Sequence, residues 1–508
     1  MSTTVVADRD TSSAGVVGGG RLDPIVGDGV RIEVLTPDDV ERIHAATLEV
    51  LETVGVRFPS APARSILADH GASVDEATEV VRIPASLVER ALATAPAEYV
   101  LGARDPALDL PLDGRHVHVG TDGCGIEVLD PMTGEAHRST LADVSAIARL
   151  VDALDEIAFH WVPVSAQDRP AATRSLHELG AIWRASTKHV QTESVVTGPE
   201  AEVAVEMAAA IAGGRDALRS RPLLSLMHCT ISPLAHDGHA LDAALVGAAA
   251  GVPVGFMTMA SCAFSGPATP AGTLVVGNAE VLSGLVLVQL AHPGAPVYYA
   301  AAQTAMDLRS GAYTGGGAED FLFGAGTNAL ADRYGVPLSM GAFATGAKTP
   351  DWQAGLENAI SALAATASRA DMLLGAGLLD GSRRFSFEQL MFDAEIVGIL
   401  RAMRRGIATD DESLAVEAIR RVGPGGDYLT DEHTRRHMRE LWQPRLLDRR
   451  PISQWEADPE MARRTARERA LGLLESHRPE PLDPALDAEL GRILDAADRA
   501  AETSGSAR

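Results

Sequence analysis

Between about residues 115 and 405, short apolar runs alternate with longer stretches whose apolar residues recur at helical spacing. The runs cover 116–121, 157–165, 189–196, 223–230, 252–261, 296–303, 336–345 and 371–378. The helical stretches cover 140–154, 171–186, 199–213, 236–250, 272–291, 317–334, 352–369 and 387–404. Strand–helix alternation predicts a parallel sheet, and runs apolar on both faces predict a sheet covered on both sides. Eight such pairs match a closed (β/α)8 (TIM) barrel of the α/β class. The alternative is an open doubly wound sheet. It would normally have fewer strands, and no Gly-rich dinucleotide turn follows the first run here.

The flanks read differently. Residues 1–21 are polar and Gly-rich and predict a disordered tail, with neither the charged start nor the apolar run of a signal peptide. Residues 22–112 predict an N-terminal helical domain. Thr36-Pro37-Asp38-Asp39 has the pattern of an N-cap with proline at the first helical position, and Gly55 closes the helix that follows. Two more helices are expected at 61–70 and 84–95. The barrel then takes 113–405. Residues 406–508, rich in Arg and Glu with joints at Pro444, Pro451, Pro479, Pro481 and Pro484, predict a C-terminal helical extension packed outside it.

Composition narrows the chemistry. The formal charge is −25, from 44 basic and 69 acidic residues, which argues against nucleic acid and is compatible with a cationic ligand. Cys124, Cys229 and Cys262 form no close pair, so a reducing cytoplasm is the expected compartment. The longest apolar run, near 281–291, is interrupted by Ser283, Gly284 and Gln289, which excludes a membrane span on length. The long helical ends suggest subunit contacts and a homo-oligomer.

In a (β/α)8 barrel the active site lies at the C-terminal ends of the strands. That rule selects Asp122, Ser165, Gln167, Glu193, His228, Thr230, Met259, Ser261, Gln303, Thr345, Lys348, Asp380 and Glu388. The chain has only two lysines. Lys188 enters the third strand from below and reads as structural. Lys348, in a Gly/Pro loop on the catalytic face, is a catalytic candidate, the alternative being a salt bridge to Asp351 or Glu357. Glu193 is a carboxylate in an apolar strand, costly to bury unless it pairs or holds a cation. It is the second catalytic candidate, and an interior ion pair is its bland alternative.

The Gly-rich stretch 311–317, with Gly315 and Gly316, precedes a helix and could hold an anion on free N–H groups, serve as a lid, or be a plain turn. Aromatic residues on or after the strands include Trp161, Phe256, Tyr298, Tyr299, Phe343 and Trp352, and aromatic faces attract quaternary ammonium groups. Tyr298 and Tyr299 point to opposite sides, so at most one faces the axis. Of these, Tyr299, Phe343 and Trp352 join Asp122, His228, Gln303, Gly315 and Gly316 as expected substrate contacts. His228, Cys229, His236, His239 and Cys262 are a weak zinc pattern without a Cys-x-x-Cys, and no metal is expected.

Several blocks carry a resemblance. They are IHAATLEVLETVGVRF, GASVDEATEVVRIPASLVERAL, VLDPMTGEAHRSTLADVSAIARLVDAL, SGPATPAGTLVVGNAEVLSGLVLVQLAHPGAPVYY and TGAKTPDWQAGLENAISAL followed by GAGLLDG. In this order, over about residues 40–405, they resemble the trimethylamine methyltransferase family. The resemblance implies a (β/α)8 barrel that passes a methyl group from a methylated amine to cobalamin carried by a separate corrinoid protein. Archaeal trimethylamine enzymes carry pyrrolysine. None is present here, which places the chain with a branch similar to glycine betaine and other quaternary-amine methyltransferases. A quaternary nitrogen has no lone pair to add to the pyrrolysine imine, so it would not need that residue. The competing readings are a Schiff-base lyase or aldolase using Lys348, a zinc-dependent methyltransferase, and a barrel that binds without turnover.

Overall fold

The computed structural model describes residues 25–26, 30–123 and 125–505; the expected tail at 1–21 and Cys124 lie outside the described residues. Eight parallel strands form the central sheet: β1 (His116–Thr121), β2 (Phe159–Trp161), β3 (His189–Thr192), β4 (Leu224–Cys229), β5 (Val254–Thr258), β6 (Val297–Ala301), β7 (Leu338–Gly341) and β8 (Met372–Ala376). Each pairs with the next, and β8 pairs with β1, which closes the barrel. The helices after the strands are α1 (Leu141–Asp152), α2 (Arg174–Ala185), α3 (Gly198–Ala212), α4 (Gly238–Ala250), α5 (Pro270–Ala291), α6 (Ala318–Tyr334), α7 (Trp352–Ala367) and α8 (Phe387–Arg404). Except for β1, the strands are shorter than the apolar runs, because the run ends bend into the adjoining loops.

Register assigns the faces. Parallel partners share a side, and Gly120↔Phe159↔His189, Trp161↔Gln191↔Ser225, Met227↔Gly255↔Tyr298 and Ala300↔Ser339↔Met372 point inward. The interior is filled by aromatic rings lying over glycines. A Cβ on Gly255 would sit 2.0 Å from Tyr298 Cε2, and one on Gly120 would sit 2.5 Å from Phe159 Cε2. Only glycine leaves room for these rings across the axis.

The N-terminal segment, which packs against α5, departs from an all-helical one. The expected helices are present at Pro37–Glu49, Ala61–Asp69 and Ala85–Leu92, the first with the Thr36/Asp39 capping box. Among them, Val56–Arg57, Val80–Arg82 and Ser73–Asp75 form an antiparallel sheet, and Tyr99–Leu101 pairs with Leu110–Leu112 as a hairpin. This hairpin plugs the barrel floor. Leu101, Leu110 and Leu112 pack into the interior cluster with Phe159, Met227 and Tyr298. The buried histidines of the lowest layer find acceptors in the same segment: His118 Nε2 on Pro111 O at 2.8 Å and His189 Nδ1 on Gly102 O at 2.8 Å.

Helix α5 has apolar residues on every face, which in a globular protein requires burial all round. It meets that need between β5 and β6 on one side and the N-terminal helices on the other. By length and composition alone it could cross a membrane; most of it is buried in the core. Lys188 is structural, as expected: its ammonium donates to Val151 O, Leu154 O and Ile157 O at 2.7, 2.7 and 2.5 Å, neutralising the carbonyl end of α1. Burial pulls its pKa down to about 8.

The C-terminal segment is helical and lies against the barrel's outer layer. Helix Met461–Ser476 packs on α8, where Arg463 and Arg467 grip Glu388, and Pro484–Gly505 packs on α3 and α2. Glu388, one of the strand-end candidates, is therefore engaged in docking this segment.

Candidate active site at the barrel mouth

At the C-terminal ends of β1 to β4, two carboxylates, a thiol and an indole converge. Asp122 follows β1 and is buried. It accepts from the Gly123 N–H at 2.9 Å and from the Ser382 hydroxyl. Burial pushes its pKa up to about 6, against those two hydrogen bonds. Glu193, one residue past β3, points inward by alternation with Gln191, and its Oε2 accepts from the Cys229 thiol at 4.0 Å. Burial and then the charges of Glu193 and Asp122 push that thiol up, so it stays protonated at neutral pH. Trp161 ends β2 beside Gly123, where a Cβ would lie 2.5 Å from the ring. Its indole N–H is buried without an acceptor among the described residues. Met227, Met257 and Tyr298 form the apolar layer beneath.

The loop that delivers Ser382 is unusual. Asp380, Gly381 and Ser382 all have positive φ, at 56°, 61° and 66°. A non-glycine residue in that region costs about 1–2 kcal/mol and persists where surrounding contacts impose it, often at functional sites. Here Ile126 N–H holds Arg383 O at 2.9 Å, and Arg384–Ser386 joins Glu127–Leu129 in a small sheet over the mouth.

The other expected contacts are dispersed. Lys348 lies on the rim, its side chain 69% exposed and 3.2 Å from Asp380. Its salt-bridge partner is therefore Asp380 rather than Asp351 or Glu357. A Schiff-base lysine needs a desolvated site, and this one is in water. Trp352 is exposed at the start of α7. Tyr299 does not face the axis: it points outward and donates to Asn278 Oδ1 of α5 at 3.3 Å, while Tyr298 faces inward. Gln303 also turns outward, donating to Thr273 O at 2.8 Å and accepting from Thr327 at 3.3 Å. Phe343 is buried in the outer core cluster, at φ 50° just past β7.

His228 is on the outer face of β4, against Phe256 with ring centroids 6.1 Å apart, and burial lowers its pKa to about 4. His228 and Cys229 consequently point to opposite sides, His236 bonds Ser283 Oγ at 2.8 Å, and Cys262 donates to Pro267 O. The zinc pattern does not assemble. Gly315 and Gly316 serve close packing: Cβ atoms there would lie 2.9 Å from Ala344 C and 2.2 Å from Glu357 Cβ. The N-terminus of α6 is already capped by its own acid, Asp320, which accepts from Gly317 N–H at 3.3 Å. A second anion would meet that carboxylate.

Two cavities lie elsewhere, about 120 Å³ at the floor beside His116 and His118 and about 430 Å³ between Arg57 and His239. The first is at the N-terminal end of the strands, which in these barrels serves stability. Neither gathers the buried acids of the mouth. Sequence reasoning passed over Ser382 and considered Cys229 only as a zinc ligand. Knowing the inward parity of the strands would have pointed to Cys229 and singled out Trp161 from the aromatic candidates.

The sequence profile described as trimethylamine methyltransferase (MTTB) matches residues 7–503. The chain is 36% identical to the trimethylamine methyltransferase MttB of Desulfitobacterium hafniense, over 92% of this chain and 94% of that one. It is 35% identical to MttB of Methanosarcina barkeri, over 93% and 96%. It is 33% identical to a glycine betaine methyltransferase of Desulfitobacterium hafniense, over 91% and 97%. The crystal structure of the Methanosarcina barkeri monomethylamine methyltransferase MtmB aligns with a TM-score of 0.49 at 13% identity, covering 88% of this chain and 96% of that one. The chain belongs to the trimethylamine methyltransferase family and, with no pyrrolysine in its sequence, to its non-pyrrolysine branch.

Proposed function

We propose that this chain moves a methyl group from a quaternary methylammonium compound, of the glycine betaine type, to the Co(I) of a corrinoid carried by a separate protein. The observation that carries this reading is the convergence of two inward carboxylates, Asp122 and Glu193, on Cys229 at the barrel mouth, with the buried ring of Trp161 beside Gly123. Carboxylates and aromatic faces attract a cation without needing a proton from it. The glycine betaine methyltransferase relative supports the same substrate class.

The chemistry balances with these groups. The N–CH3 bond would break with its electron pair going to nitrogen, the partner's Co(I) would supply the electron pair that takes up the methyl carbon, and the leaving group would be a neutral tertiary amine. No proton is transferred. The residues have to orient the cation and exclude water. A partner that brings the acceptor would meet Phe264 and Leu308, in the loops after β5 and β6, and Trp352, at the start of α7, which are 72, 74 and 78% exposed. A reducing cytoplasm would suit a Co(I) acceptor.

The test is anoxic incubation of the protein with cob(I)alamin, free or on a cognate corrinoid protein, and glycine betaine, carnitine, proline betaine, choline or trimethylamine. Methylcobalamin formation with one quaternary amine is expected. Silence across the panel with both forms of the acceptor would sink the reading. Asp122 adds a pH signature. Its raised pKa means that it protonates as pH falls through about 6, and a neutral acid no longer attracts a cation. KM for the amine should climb on that acid limb, and Asp122→Asn should flatten it.

A further inference from the structure

The C-terminal segment carries a second cluster, on elements that do not contribute to the barrel mouth. His433 and His437 are four residues apart on the short helix Glu432–His437, so their rings share a face, with centroids 4.3 Å apart. Glu412, from the helix Asp411–Leu414, meets them from the other side. Its Oε1 is 3.0 Å from His437 Nε2, and its backbone carbonyl is 3.1 Å from His433 Nε2. One ligand atom from each of the three side chains lies within 4.8 Å of the other two. Behind His437, Nδ1 sits 2.9 Å from Glu440 Oε2. An imidazole with one nitrogen facing a cluster and the other held by a carboxylate is the arrangement that orients histidine on a metal. Glu412 is exposed and both histidines are half-buried, so an ion has a path in.

We propose that Glu412, His433 and His437 form a binding site for a divalent ion of the zinc class, with Glu440 as the outer carboxylate. Two imidazoles and one carboxylate suit zinc or its borderline neighbours, and hard ions such as magnesium prefer oxygen alone. Water would complete the coordination. The ion would clasp 411–414 to 432–437 across the turn-forming Gly423-Pro424-Gly425-Gly426. That clasp has work to do, because side chains such as Ile407 and Leu429 in this segment are 92 and 84% exposed and little core holds it. One group opposes the ion: the Arg436 guanidinium is 3.0 Å from the same Glu412 oxygen. It must give way, which sets the affinity below that of a dedicated structural site.

The experiment is equilibrium dialysis of the full-length protein against zinc chloride, with circular dichroism confirming that each variant is folded. Wild type should bind one equivalent that the H433A/H437A double variant and E412Q each lose. Glu440→Gln should weaken binding by about tenfold, as removal of an outer-shell carboxylate does. Arg436→Gln should tighten it. Zinc should also protect bonds within 415–431 from limited proteolysis in wild type and not in the double variant. Failure of wild type to bind zinc, or an unchanged stoichiometry in the double variant, would overturn the proposal. Neither result depends on methyl transfer.

Discussion

Replacing Glu193 by glutamine should raise KM for the quaternary amine by about a hundredfold and leave kcat within a factor of about three. The asymmetry follows from the proposed reaction. The substrate nitrogen is fully cationic when bound and loses its charge as the carbon–nitrogen bond breaks. A carboxylate beside it therefore favours the bound substrate at least as much as the transition state. Losing such an interaction removes binding and spares the chemical step. A hundredfold corresponds to about 2.7 kcal/mol, within reach of one charge pair about 4 Å apart in a partly screened site. Steady-state kinetics at saturating corrinoid would measure both parameters. A fall in kcat at constant KM would show instead that Glu193 acts on the transition state. The Cys229→Ser variant is a useful companion, since it leaves both carboxylates in place and should move KM much less.

The second large effect concerns what holds the mouth together. Glu280, in the middle of α5, is fully buried. Its Oε2 accepts from the hydroxyls of Thr230, Thr258 and Ser232 at 2.6, 2.8 and 2.9 Å, and its Oε1 accepts from Leu234 N–H at 2.9 Å. One carboxylate thus ties the ends of β4 and β5 and the loop after β4 to the helix behind them. Alanine at this position would leave four donors facing a space without an acceptor, and should cost about 4 kcal/mol of stability. Urea unfolding midpoints would report the loss. Glu280→Gln keeps one oxygen but turns the other acceptor into a donor, so it should fall between wild type and alanine. Because Thr230 adjoins Cys229, both variants should also loosen the site and lower methyl transfer before they unfold the chain. A cost below about 1 kcal/mol for alanine would mean that this network is replaced by solvent and is not what fixes the strand ends.

Several features were legible without coordinates. The eight strand–helix pairs stand in the right order, because an apolar run of strand length followed by a helical period is a local property. The helix expected at 272–291 is present at Pro270–Ala291. The scarcity of lysine pointed to Lys348, which the structure leaves on the rim, while the structural reading of Lys188 followed from its position just before β3. The barrel rule alone pointed to Asp122 and Glu193, and the structure places each one residue past its strand end.

Face assignment was out of reach. A one-residue change of parity exchanges Tyr298 for Tyr299 and Cys229 for His228. In a half-buried strand the polar–apolar alternation would reveal that parity, but both faces of these strands are buried, so it leaves no trace in the sequence. The plug hairpin at 99–112 was equally hidden, because its short strands draw their apolar partners from the barrel interior and not from each other.

The chain's own pattern therefore determined the architecture and the strand ends where chemistry could sit, since these depend on local periodicity. Tertiary structure alone decided which of those ends meet. Ser382 reaches Asp122 across 260 residues of chain, while Lys348 is drawn off to Asp380 on the rim. Contacts of that separation are set by barrel closure and by the left-handed turn at 380–382, and no local spacing encodes them.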